Sequence, residues 1–261
     1  PSANCPNARI WPAQMNDQSY VVQHGTAITL PFDSAMRGAV DSGDVTLDAY
    51  DIVDWIAGQE QVPASVPNGT SEVALTQAER DALAAYLSGG HALFISGAEV
   101  AFDLATNTPS QSFLTGTLRA QFAGDDANVF AVTPTSGSIF DGMGQFGFDD
   151  GTHGSYAVNY PDFITPTNGA IATLNYVTSA GKTAAVEYAN GCQRLVYFGF
   201  PFETIYPAAT RQAVMTRVMN FLGVCLRRPP IVAIASPAHD GFYKSLPAIN
   251  GLASDWTQVD H

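Results

Sequence analysis

Lysine is nearly missing from this 261-residue chain. Lys182 and Lys244 are the only two, and 11 Lys+Arg face 24 Asp+Glu for a formal net charge of −13. A surface of that sign repels phosphate backbones and anionic headgroups, so no nucleic-acid partner is expected and membrane-surface binding is disfavoured. No apolar run reaches the ~18 residues of a transmembrane helix, so no membrane insertion is expected either. Charged residues make up only 13% of the chain and hydrophobic ones 46%, which supports a substantial core and excludes disorder. The length admits one large domain, or one domain plus a fragment. No internal repeat or low-complexity segment occurs. The chain opens Pro1-Ser2-Ala3-Asn4-Cys5, without Met or a signal peptide, and reads as a processed or excised piece of a longer precursor. Low charge and abundant Thr, Ser, Asn and Gly suit a soluble, secreted α/β protein.

Cysteine is also scarce: Cys5, Cys192 and Cys225. Three pairings are conceivable, each leaving one thiol. Cys192 precedes an apolar strand pattern, Leu195 to Phe200, and Cys225 follows a helix pattern from about Ala208 to Leu222. Six or seven strand residues at ~3.3 Å and about fifteen helical residues at ~1.5 Å cover similar distances. A strand–helix return therefore brings both cysteines to one edge and favours a Cys192–Cys225 disulfide over two separate buried thiols.

Periodicity predicts a helix over Asp17 to Ile28 with Tyr20, Val21, His24 and Ile28 on one face, and a short helix over Ser34 to Val40. Asp51 to Gly58 and Ala92 to Gly97 read as buried strands. Between them Thr76-Gln77-Ala78-Glu79 forms a capping box that opens a helix to about Ser88, closed by Gly89-Gly90. Strand, helix and strand at this spacing predict a βαβ unit and a parallel sheet. Residues 124–168, rich in Gly, Asp, Thr and aromatics, read as an antiparallel insertion. Ser179-Ala180-Gly181-Lys182 reads as a hairpin turn between Ala170 to Tyr176 and Thr183 to Tyr188. Residues 1–226 thus form one α/β domain. Residues 227–261 form a linker, opened by Arg227-Arg228-Pro229-Pro230, and a short β tail.

In an open parallel sheet, ligands sit beyond the carboxyl ends of the strands. Three strand candidates run into acids there: Glu60, Glu99 and Glu203, with Asp103 one helical turn after Glu99. Converging carboxylates can bind a ligand, hold Ca²⁺, or act as an acid/base pair. Each can instead cap the helix that follows its strand. Were the chain an enzyme, Glu60, Glu99, Glu203, Asp103 and His24 would be its catalytic candidates. Asp149-Asp150, in a Gly-rich loop, is a weak Ca²⁺ pair, as the spacing is not that of an EF-hand; no other cofactor is expected. The five histidines lack metal-ligand spacing. Trp55, Phe102, Phe202 and Tyr206 flank the rim as either sugar-stacking or core aromatics. Asn68-Gly69-Thr70 fits a glycosylation sequon. No nucleophile stands at the strand–turn–helix elbow Ser96-Gly97-Ala98-Glu99, because Ala98 occupies its tip.

Tyr20 to His24, Phe32-Asp33-Ser34, Tyr50 to Gly58, Ile95 to Glu99, Phe102-Asp103-Leu104 and Gly199 to Ile205 resemble, in that order, a module of large secreted bacterial proteins labelled xanthan lyase-like or golvesin-domain-associated. The resemblance covers roughly residues 9 to 225. It implies a class I glutamine amidotransferase-like, flavodoxin-like parallel sheet flanked by helices. The tail resembles the start of an immunoglobulin-like domain. In that family a hydrophobic strand precedes the Arg9-Ile10-Trp11 region; here it is absent, supplied by another chain or a missing segment of the precursor, or replaced. Residues 58–61 read Gly-Gln-Glu-Gln where a more acidic stretch is expected. The resulting expectation is a secreted, non-catalytic accessory module that binds a glycan or cell-surface ligand, or acts as a scaffold. One alternative is a carboxylate-based hydrolase or lyase acting on polysaccharide or peptidoglycan. The other is an assembly protein completed by a partner's strand.

Overall fold

The computed structural model describes residues 17–28, 32–59, 73–106, 110–178, 181–225 and 232–236. Cys5, Glu60 and the Asn68 sequon lie outside these residues. In chain order the first half contains α1 (Asp17–Ile28), β1 (Phe32–Met36), α2 (Arg37–Asp41), β2 (Ile52–Gly58), α3 (Gln77–Ser88), β3 (Ala92–Gly97), α4 (Val100–Thr106) and α5 (Gln111–Gly116). The second half contains β4 (Ala120–Gly124), β5 (Ala131–Pro134), β6 (Phe146–Phe148), β7 (Phe163–Pro166), β8 (Ile171–Tyr176), β9 (Thr183–Asn190), β10 (Gln193–Phe198), β11 (Ile205–Tyr206), α6 (Ala208–Leu222) and β12 (Val232–Ser236).

One mixed sheet runs β1-β12-β2-β3-β10-β9-β8-β5-β6-β11, with β4 and β7 paired beside it. The first five strands are mutually parallel, through β1–β12, β12–β2, β2–β3 and β3–β10. From β10 onward the pairing is antiparallel. Alternation along the central strands sorts side chains to two faces. Ile52 and Ile56 of β2, Phe94 of β3, and Val196 and Phe198 of β10 join Tyr20 and Ile28 of α1 and Val214, Met215 and Val218 of α6. Val53, Trp55, Leu93, Ile95, Leu195 and Tyr197 join Leu83, Tyr86 and Leu87 of α3 and Leu104 of α4 on the other. The chain is thus a mixed α/β protein whose sheet is flanked by helices.

The capping box has its expected geometry: the Thr76 hydroxyl accepts from Glu79 N, and the Glu79 carboxylate accepts from Thr76 N. Glu79 also takes a bidentate ion pair from Arg37, which ties α2 to α3. Cys192 and Cys225 form a disulfide with Cα atoms 5.5 Å apart. It joins the turn before β10 to the 3₁₀ turn after α6, as the strand–helix return implies.

Two segments depart from local expectation. Ser34 to Val40 is not one short helix. Its first residues belong to β1, which pairs with β12 throughout, and only α2 is helical. Here a distant strand partner overrides the local pattern. The tail segment Val232–Ser236, expected to begin a separate β structure or to pack on the main domain, is an interior strand of the main sheet, parallel to β1 and β2 on either side.

Candidate functional site

Two polar clusters flank the parallel strands: one reaches into the core from β2, and the other stands where β3 ends. The strand ends are stitched together by backbone bonds. Ala98 N donates to Gly58 O, and Asp162 N donates to both Ala98 O and Gly199 O. The three parallel strands therefore end together, while Glu60, one of the three acids expected there, lies outside the described residues.

The first cluster centres on His24. An imidazole on the buried face of a helix needs partners, and β2 supplies one from the middle of its apolar run. His24 Nδ1 lies 2.7 Å from Asp54 Oδ2, and Nε2 lies 3.3 Å from Glu203 Oε2. The second Glu203 oxygen accepts from the Tyr156 hydroxyl at 2.6 Å. His24, Asp54 and Glu203 are wholly buried. The His24 ring is fixed edge-on against Phe202, with centroids 4.6 Å apart. Desolvation pulls the His24 pKa down. The charge and hydrogen bond of Asp54, followed by those of Glu203, more than reverse this and raise it from 6.5 to about 9. The ring is therefore an imidazolium at neutral pH and donates from both nitrogens. This network joins α1, β2, the 3₁₀ turn at 202–204 and the loop carrying Tyr156. Both ring nitrogens are committed and no atom is open to solvent, so in this arrangement His24 has no free position from which to take a substrate proton.

The second cluster is acidic. Glu99 is only 2% exposed, and neither carboxylate oxygen has a hydrogen-bond partner. Burial, then the charges of Asp125, Asp126 and Asp103, raises its pKa from 4.5 to about 8. Asp103 is placed by Glu99 O, which accepts from Asp103 N, but its own carboxylate accepts from Ala74 N at 2.9 Å. Asp162 caps α4: its Oδ2 accepts from Ala101 N and Phe102 N at 2.8 and 3.0 Å, while Oδ1 has no partner. Burial raises the Asp162 pKa strongly, helped by the Glu99 charge. The capping role at α4 thus falls to Asp162 and not to Glu99.

Of the predicted site residues, Glu99 and Asp103 fall in one cluster, while Glu203 and His24 fall in the other. No hydrogen bond joins Glu99 to Glu203. Trp55 and Phe202 are core, Phe102 packs against Phe122, and Tyr206 stacks on His153 at 3.6 Å. Asp149 is buried and accepts from the amides of Gly151, His153 and Ser155, whereas Asp150 accepts from Thr152. Among the described residues no group of three or more His, Cys, Asp and Glu side chains is arranged to hold a metal ion. Ala98 stands at the elbow, fully buried.

No family model matches the chain, and no curated protein matches it. Among solved structures, a cytoplasmic protein from Salmonella typhimurium is similar at 13% identity and a TM-score of 0.39, over 74% of this chain and 77% of its own. An exo-beta-1,4-mannosidase from Opitutaceae bacterium strain TAV5 is similar at 13% identity and a TM-score of 0.33, over 66% of this chain and 36% of its own. Likenesses this distant carry no argument about function.

Sequence reasoning missed Asp54, Tyr156 and Asp162. Asp54 carried a readable signal, since a lone carboxylate in the run Ile52-Val53-Asp54-Trp55-Ile56 must find a buried partner. Tyr156 and Asp162 sit in irregular chain, and no spacing announced them. Among the described residues no helix is long and apolar enough to cross a membrane.

Proposed function

We propose that this chain is an extracellular, non-catalytic accessory module that binds a glycan at the acidic lip around Glu99, on a class I glutamine amidotransferase-like, flavodoxin-type framework without the amidotransferase nucleophile. The observation that carries this reading is Glu99 itself, a buried carboxyl group that folding leaves without a hydrogen-bond partner at the carboxyl end of β3. Native proteins rarely bury an unpaired polar group, and the edge beyond parallel strands is where open α/β sheets take ligands. Held to a pKa of about 8, Glu99 is protonated at neutral pH; its oxygens are closed to solvent, so it meets a sugar hydroxyl only when the chain around it opens, and then both donates and accepts. The parallel run β1-β12-β2-β3-β10 with helices on both faces supports the flavodoxin-type part of the reading, and the Cys192–Cys225 disulfide supports an oxidising compartment.

A second reading, a carboxylate-based hydrolase, draws on the same residue. Glu99, raised to about 8 by burial and then by the Asp125 charge, is the kind of protonated acid that glycoside hydrolysis requires. One experiment separates the two: calorimetric titration with cellohexaose and with the glucosamine hexamer, run beside a reducing-end assay. The accessory reading expects binding without new reducing ends, weakened in Glu99→Ala. Turnover that Glu99→Ala abolishes would favour the hydrolase. No binding to either probe would remove the glycan reading.

A further inference from the structure

Resting on the glycan reading, we propose that Tyr160 is the stacking platform of this lip and that the pyranose it accepts is neutral or amine-bearing, not a uronate. Among the described residues Tyr160 is the one Phe, Tyr or Trp left exposed, with 49% of its surface open. Its backbone is left-handed, at φ 51°. That conformation is uncommon outside glycine, asparagine and aspartate and is unfavourable for a bulky side chain.

The surroundings hold it there. Asn159 N donates to Gln59 Oε1 at 2.6 Å, just past the end of β2. Pro161 O accepts from Ala127 N, and Asp162 N donates to the ends of β3 and β10. The Asp162 carboxylate then caps α4. The Asn159–Asp162 strap therefore crosses three strand ends and is fastened at each. The loop that bonds to it has two left-handed residues of its own, Asp126 at φ 56° and Asn128 at φ 55°. The structure thus maintains an unfavourable backbone in order to present a flat aromatic ring to solvent, on a strap whose next residues bond to the loop of Asp126 and Asn128 and to the end of β3. Strain kept against its cost is concentrated at functional positions.

Ring and acids together define the ligand. An aromatic face takes the apolar C–H face of a pyranose, and neighbouring carboxylates accept from its hydroxyls. The loop bonded to the strap carries Asp125 and Asp126, whose negative charges both act on Glu99. Phosphates and uronates are repelled. Neutral sugars are tolerated, and an amino sugar gains charge complementarity.

The test is calorimetric titration of the full chain with cellohexaose, the glucosamine hexamer and hexagalacturonate. Wild type, Tyr160→Phe and Tyr160→Gly are compared, with Tm recorded for each. The expected result is binding of the first two probes and none of hexagalacturonate. Tyr160→Phe should retain affinity, while Tyr160→Gly loses about tenfold or more at an unchanged or raised Tm. Glycine accepts the left-handed backbone, so the loss cannot come from misfolding. Binding that Tyr160→Gly leaves intact, or a preference for hexagalacturonate, overturns the assignment of Tyr160 and of sugar class while leaving a glycan lip in place. No binding of any probe by wild type overturns both.

Discussion

His24 and Asp54, thirty residues apart, meet at 2.7 Å in the middle of the core with no solvent contact. Glu203 completes the arrangement from 179 residues away, so the network closes only when the parallel half of the sheet, α1 and the turn after β10 have all assembled. Its chemistry is that of a buried ion pair. Removing one partner strands the others, which is why the energetic effect of deletion exceeds the net contribution of the bonds.

Replacing His24 with alanine is therefore expected to cost about 3–5 kcal/mol, because Asp54 and Glu203 are left buried without a counter-charge. Tyr156→Phe removes the hydroxyl that donates to Glu203 Oε1 and should cost about 1–3 kcal/mol. Urea unfolding of both variants measures the difference. Equal, small losses would show that the bonds contribute little.

Stability should fall as the pH is raised from neutral to 9. The folded-state pKa of His24, about 9, lies above its ordinary 6.5, so its contribution is complete below about 6.5 and is lost as the pH rises through 9. Glu99, raised from 4.5 to about 8, acts in the same direction: between those values the folded state holds a proton that the unfolded state has released. Glu99→Gln should accordingly match wild type near pH 4 and exceed it by about 1–3 kcal/mol at pH 9. A Glu99→Gln difference independent of pH would contradict this.

Reducing the Cys192–Cys225 bond opens a 33-residue loop. On chain-entropy grounds this should lower stability by roughly 3–4 kcal/mol. Denaturant midpoints of wild type and the Cys192→Ser/Cys225→Ser variant check it, with m-values monitored for changes in the unfolded state.

β12 offers a test of the sheet order. Ala233 is paired with Asp33 on one side and Val53 on the other. Proline there has no N–H and cannot sit comfortably in an interior strand, so Ala233→Pro should cost about 3 kcal/mol or more. A variant as stable as wild type would mean that the strand is not interior.

Much of this was legible locally. The α1, α3 and α6 boundaries, the capping box, β2 and β3 and the disulfide follow from periodicity, caps and lengths over a dozen or so residues. What was not legible depends on partners far away in sequence. Ser34 to Met36 looked helical because nothing in Phe32–Met36 reveals β12. His24 was visible as a histidine on an apolar helix face and a catalytic candidate, but that Asp54 and Glu203 occupy its ring nitrogens was not. Tyr160 sits in irregular chain, where its left-handed backbone is set by bonds to Gln59, Ala127 and the ends of β3 and β10. The acids at the strand ends were visible, but their division into a locked network and an unpaired lip is decided by distant partners: Glu203 meets His24 and Tyr156, while no donor reaches Glu99.

A crystal structure of the full chain with cellohexaose addresses the division between locked network and binding lip most directly. The expected density is a pyranose ring against Tyr160 with hydroxyls toward the Glu99 cluster, and with His24, Asp54 and Glu203 still bonded to one another. Sugar bound elsewhere, or a sugar hydroxyl inserted between His24 and Glu203, would contradict it.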